Sequence, residues 1–154
     1  MDMLGFLGYG IAAFAVAVVL TLLYSLFRPI RKHDEVLSWR VLLFLYIFTL
    51  SAPYLYVEGM TAWHGKEVAE VVEQTAFEAT KESEFLYFKV LTYDSKGKAR
   101  VIAANREVSF WGGRERSVMA INLEKVDGKW EAVEYNWVTS DQRNKDSVTL
   151  PPYW

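Results

Sequence analysis

From Leu4 to Phe27 the chain runs through twenty-four positions without a charged side chain. As a helix rising about 1.5 Å per residue, that run spans roughly 36 Å, against about 30 Å of bilayer hydrocarbon. A helix satisfies every backbone amide internally, so a spanning helix is the expected form. A cleaved signal peptide is the competing reading. It fits poorly, because Met1, Asp2 and Met3 supply no basic leader and the apolar stretch is long. A second uncharged run, Val41 to Val57, has seventeen residues, the lower end of the spanning range. Trp39 and Arg40 at one end, with Tyr54 and Tyr56 at the other, occupy interfacial positions, and Pro53 lies near the far end. A buried soluble helix or a re-entrant segment is the alternative for this second run.

Past residue 57 the pattern changes. From Lys66 to Lys81, Val68, Val71, Val72, Thr75 and Ala79 recur at three- and four-residue spacing, which predicts an amphipathic helix. Glu67, Glu70, Glu73 and Glu78 line its other side and read as a solvated face rather than as metal ligands. The period then shortens to two. Phe85–Tyr93, Ala99–Phe110, Val118–Val126 and Trp130–Thr139 predict four antiparallel strands. Turns are expected at Asp94-Ser95-Lys96-Gly97, Trp111-Gly112-Gly113-Arg114 and Asp127-Gly128, the last a two-residue type I′ hairpin. That hairpin pairs Val126 with Lys129. Simple alternation then puts Met119, Ile121, Leu123, Trp130 and Ala132 on a core face. It puts Val118, Ala120, Val133, Tyr135 and Trp137 on an outer one.

The expected architecture is an α+β membrane protein. A transmembrane hairpin (residues 1–57) precedes an extracytoplasmic domain (58–140) of one helix on a four-stranded sheet. A tail (141–154) ends in Leu-Pro-Pro-Tyr-Trp. The element order over residues 61–140 resembles the cystatin/NTF2-like class. Membrane-tethered domains of that class serve in secretion machines and in assembly of respiratory complexes, and the resemblance implies a role of that kind.

Charge sets the topology. Arg28, Arg31, Lys32 and Arg40 lie between the two apolar runs, no Lys or Arg precedes the first, and Lys66 alone follows closely after the second. The connecting loop (28–40) is therefore expected in the cytoplasm. The C-terminal domain is expected in the periplasm or outside, with a bacterial inner membrane the expected location. Residues 58–154 carry thirteen Lys/Arg against sixteen Asp/Glu, with no basic patch for nucleic acid.

Chemical motifs are sparse. There is no cysteine, hence no thiol nucleophile, disulfide or iron–sulfur site. His33 and His64 fall on opposite sides of the expected membrane, and no nucleophile elbow or phosphate-binding loop is present. No catalytic residue, cofactor or metal ligand is assigned. Two sets of residues point to contacts instead. Small side chains at Gly5, Gly8, Ala12 and Ala15 allow close approach of a helix, in cis or on a partner. Tyr135, Trp137, Tyr153 and Trp154 form an aromatic set that either meets a protein partner or is covered by the tail or the membrane surface. The leading expectation is a non-catalytic accessory, structural or assembly subunit of a larger membrane complex, respiratory, photosynthetic or secretory. Its expected partners are other integral membrane subunits and the lipid bilayer. The alternative is a tethered ligand-binding or sensing module, and an enzyme centred on His64 is the remote third.

Overall fold

The computed structural model describes residues 3–27, 35–80, 83–108 and 111–139. Residues 28–34 of the expected cytoplasmic loop (28–40), the expected strand end at Phe110 and the tail with Tyr153 and Trp154 lie outside the described residues. Helix α1 runs Met3–Phe27 and helix α2 Glu35–Thr80. Four strands follow: β1 Glu84–Asp94, β2 Lys98–Val108, β3 Arg114–Val126 and β4 Lys129–Thr139. They form one antiparallel sheet in the order β1-β2-β3-β4. The class is α+β. The chain divides into two compact units whose boundary falls between Leu55 and Tyr56, inside α2.

In the first unit α1 meets the start of α2 through small residues. Ala13 and Ala17 are buried, the Phe14 and Tyr46 rings meet edge-on at 5.8 Å, and a Cβ at Gly10 would lie 3.8 Å from the Tyr46 hydroxyl. The most apolar stretch of each helix has little cover from the described residues. Of the most apolar window in each, 11 % is buried for α1 and 6 % for α2. Both helices are long and apolar enough to cross a membrane.

The second unit is built on the rest of α2. Sequence pattern separates the second apolar run from the amphipathic helix, but residues 58–65 are helical and the two are one element. Gly59 and Gly65 each cost a helix about 1 kcal/mol relative to alanine, and tertiary contacts offset this. A Cβ at Gly65 would sit 3.6 Å from the Phe88 ring, so the small residue lets β1 lie close. Val68, Val72 and Ala76 are buried against Val90, Val101, Ala103, Met119, Ile121 and Leu123. Burial of each large aliphatic side chain contributes about 1.5–3 kcal/mol. The four glutamates of the opposite face are exposed, as expected.

Strand β1 is an edge, and α2 closes it. The Val90 amide donates to Thr61 Oγ1 at 2.9 Å, and Thr61 Oγ1 donates in turn to the Val57 carbonyl at 2.8 Å. Lys89 pairs with Glu58. An edge amide that would otherwise template aggregation is thereby satisfied within the chain.

The hairpin turns follow sequence. Asp127 and Gly128 both have positive φ, 51° and 84°, as a type I′ turn requires. Gly97 has φ 82°, and a Cβ there would come within 2.9 Å of Lys125 Cβ, so only glycine closes that turn without strain. Two expectations are corrected. Strand β3 starts at Arg114 rather than Val118. Its charged start pairs with β2, and Arg106 opposite Arg116 is relieved by Glu84 at 3.1 Å from Arg106 and by the Tyr87 ring under Arg116 at 5.0 Å. The β3–β4 register also shifts at Val133. Pairing runs Val126 with Lys129 to Leu123 with Ala132, then Asn122 with Glu134, Ile121 with Tyr135 and Met119 with Trp137. This bulge moves Tyr135 and Trp137 from the expected outer face to the side of Ile121 and Met119, and Trp137 packs against the core. The centre of the outer face is itself covered, since Ile102, Val118 and Ala120 are buried in a second cluster with Val57 and Leu91.

Thr61→Val keeps the side-chain volume but leaves the Val90 amide without its acceptor, at a cost of about 1–3 kcal/mol. Thermal unfolding of the full chain in mild detergent should show a lowered midpoint. An unchanged midpoint would mean that the β1 edge is satisfied without α2.

Candidate functional site

Three arrangements carry side chains with more than a packing role. The first joins the two helices of the hairpin. Pro53 sits inside α2 and has no amide hydrogen, so the Thr49 carbonyl loses its partner one turn back. Tyr9 of α1 fills that vacancy. Its hydroxyl donates toward the carbonyls of Leu50 at 2.9 Å and Thr49 at 3.2 Å. In an apolar surrounding an unsatisfied carbonyl is costly, so this tyrosine mends the helix at the point where proline breaks it. Gly10, Ala13 and Ala17 continue the same contact face along α1.

The candidate packing residues therefore divide. Gly5 is buried, whereas Gly8, Ala12 and Ala15 are exposed. A Cβ at Gly8 would meet nothing within 4 Å. The face that holds α2 is Tyr9, Gly10, Ala13 and Ala17, and the Gly8–Ala12–Ala15 face points elsewhere. Of the aromatic set, Tyr135 is 48 % exposed and Trp137 is half-buried at the core's edge.

The second arrangement surrounds His64. Its ring stacks on Tyr93 at 3.8 Å with planes 12° apart, and Tyr93 leans on Trp130 at 5.5 Å. The Tyr93 hydroxyl donates to Glu67 Oε2 at 2.9 Å, while His64 Nδ1 lies 4.0 Å from Glu67 Oε1. The Lys125 ammonium stands 5.7 Å from the Trp130 ring centre. Donation to Glu67 raises the Tyr93 pKa, with burial adding to the effect. The folded state thus holds this proton more tightly, and the resulting stabilisation, present at neutral pH, is lost as pH rises through the alkaline range. A base, a carboxylate and a phenol meet here, but stacking fixes the imidazole against another ring, so the geometry suits an anchor of β1 to α2. Among the described residues, no group of three or more His, Cys, Asp or Glu is arranged to hold a metal ion.

The third is a polar row inside the helix-facing side of the sheet. Asn105 and Ser117 are paired across β2 and β3 and are 1 % and 2 % exposed. Glu107 lies two residues further along β2 and is also buried. Asn105 Nδ2 approaches Met119 Sδ at 3.8 Å, while Asn105 Oδ1 and Ser117 Oγ have no hydrogen-bond partner among the described residues. Sequence reasoning passed over this row because each residue is an unremarkable strand residue taken singly. It passed over Tyr9 as well, although a proline inside an apolar run signals an orphaned carbonyl that needs a donor. Comparison with protein-family models, curated proteins and solved structures finds no match.

The Tyr9 bond predicts a coupled pair. Tyr9→Phe should destabilise the hairpin by about 1 kcal/mol. In a Pro53→Ala background the restored amide takes the Thr49 carbonyl, so the same change should cost much less. A double-mutant cycle read by thermal unfolding in detergent should give a coupling of at least about 0.5 kcal/mol. Equal costs in the two backgrounds would refute the repair.

Proposed function

We propose that this chain is a non-catalytic accessory or assembly subunit of a larger membrane protein complex, respiratory, photosynthetic or secretory. The α1–α2 hairpin anchors it in a bacterial inner membrane, with residues 28–40 in the cytoplasm and the sheet in the periplasm or outside. The observation that carries this reading is the open small-residue face of α1. Gly8, Ala12 and Ala15 are exposed while a different face of the same helix is occupied by α2. In lipid, helices associate through close backbone approach, which small side chains permit. The low burial of both apolar windows supports insertion, because a core helix of a soluble protein is mostly covered. Tyr135, with Tyr153 and Trp154 of the tail, is proposed to contact a partner outside the membrane.

The alternative, a tethered ligand-binding module, draws support from Asn105 and Ser117, whose buried polar atoms lack partners. Against it, Met119, Ile121 and Val72 are fully buried and fill the space between helix and sheet.

Replacing Gly8 and Ala12 together with leucine should hold a neighbouring helix away and release the protein from its complex in mild detergent. Membrane insertion and the unfolding midpoint should not change, since neither position faces α2. If the co-purifying subunits are retained, the accessory reading loses its physical support.

Topology is tested separately by reporter fusions after Phe27, after Val57 and at the C-terminus. The loop fusion should report the cytoplasm and the other two the opposite side. A C-terminal reporter active only in the cytoplasm would invert the arrangement.

A further inference from the structure

At the loop end of the hairpin, Leu20 and Tyr24 of α1 and Arg40, Val41, Phe44 and Leu45 of α2 line a groove of about 500 Å³. We propose that it binds one anionic phospholipid, with an acyl chain along Leu20, Val41, Phe44 and Leu45 and the phosphate on the Arg40 guanidinium. This rests on the membrane-spanning reading above.

Three observations select that occupant. The first is shape. A helix, roughly 10 Å across and about 5.4 Å per turn, would fill that volume with little more than one turn, whereas a flexible acyl chain needs no such cross-section. The second is composition. The walls are aliphatic and aromatic, with Leu20 and Phe44 exposed. In a bilayer such a cleft fills with hydrocarbon, since an empty one forfeits dispersion contacts.

The third is charge. Arg40 is exposed at the groove, and none of the ion pairs among the described residues involves it. A planar guanidinium presents paired donors that match phosphate oxygens. Its nearest basic neighbours in sequence, Arg28, Arg31 and Lys32, outnumber the intervening Asp34 and Glu35. Basic clefts between spanning helices on the cytoplasmic side suit acidic headgroups. A zwitterionic lipid would offer the same chain but add a cation beside Arg40.

The test is native mass spectrometry of the full chain in mild detergent, with phosphatidylglycerol and phosphatidylcholine of identical acyl chains in competition. Wild type should retain phosphatidylglycerol preferentially, and Arg40→Gln should lower that preference about fivefold. Arg40→Lys should keep part of it. Leu45→Trp, which fills the groove, should lower retention of both lipids. Equal retention of the two lipids by wild type, or an unchanged preference in Arg40→Gln, overturns the site. So does competition by inorganic phosphate as effective as that by the lipid, because the groove would then contribute nothing. Alkaline carbonate extraction of the same protein from vesicles separates the two levels. Release as a soluble protein overturns the spanning reading, whereas retention without lipid preference overturns this site alone.

Discussion

A proline in an apolar helix creates a carbonyl that neither the helix nor hydrocarbon can satisfy, and the first unit is organised around that defect. Pro53 withholds an amide from Thr49, and the Tyr9 hydroxyl reaches across from α1 to the Thr49 and Leu50 carbonyls. This bond sets more than one backbone group right. It fixes the rotation of α1 about its own axis, because Tyr9 must face α2. Successive residues of a helix differ by about 100°, so placing Tyr9 fixes which small residues lie against α2 and which do not. Gly10, Ala13 and Ala17 follow Tyr9 inward, and Gly8, Ala12 and Ala15 are turned away. One tyrosine therefore separates the face of α1 that meets α2 from the face that does not.

The second unit answers a different constraint, the open edge of a meander. A four-stranded sheet in the order β1-β2-β3-β4 has two edges, and α2 is committed to one of them. Thr61 serves as acceptor for Val90 and as donor to Val57, so one hydroxyl links strand edge to helix backbone. His64 and Glu67 carry the contact on toward the loop by gripping Tyr93. Thr61, His64 and Glu67, at three-residue spacing, explain why the helix runs through Gly59 and Gly65 without interruption. The glycine cost is local and small, whereas the contacts it would forfeit are distributed along two turns.

The strands, their turns and the buried stripe of the domain helix were legible in sequence because each depends on local pattern. Asp127-Gly128 needs only its own two residues to specify a type I′ turn, and Val68 and Val72 need only helical spacing. What was not legible depends on partners far along the chain. Residues 58–65 were assigned to neither the second apolar run nor the domain helix, because nothing local says that Thr61 will meet Val90. The bulge at Val133 was invisible for a related reason. Alternation from the hairpin is correct as far as Leu123 with Ala132, and after that the pull of Trp137 toward the core sets the register instead. The small-residue pattern of α1 was visible in sequence as one candidate packing surface, of which Gly8, Ala12 and Ala15 do not face α2. Its division into two faces needed Tyr46 and Pro53 to be placed.

The two faces of α1 bear on the proposed role through what each could tolerate. The inner face is already filled, so enlarging Ala13 or Ala17 would push against α2 and disturb the chain itself. The outer face has open space beside Gly8 among the described residues, and enlarging it would disturb none of them. A surface that is small-residue, apolar and yet unconstrained by its own fold has no internal reason to be small. In water such a surface would read as neutral. In a bilayer, where lipid tails are as apolar as leucine, the physical gain from small residues comes from close approach of another helix. That asymmetry is what ties the geometry of the hairpin to the proposed role in assembly.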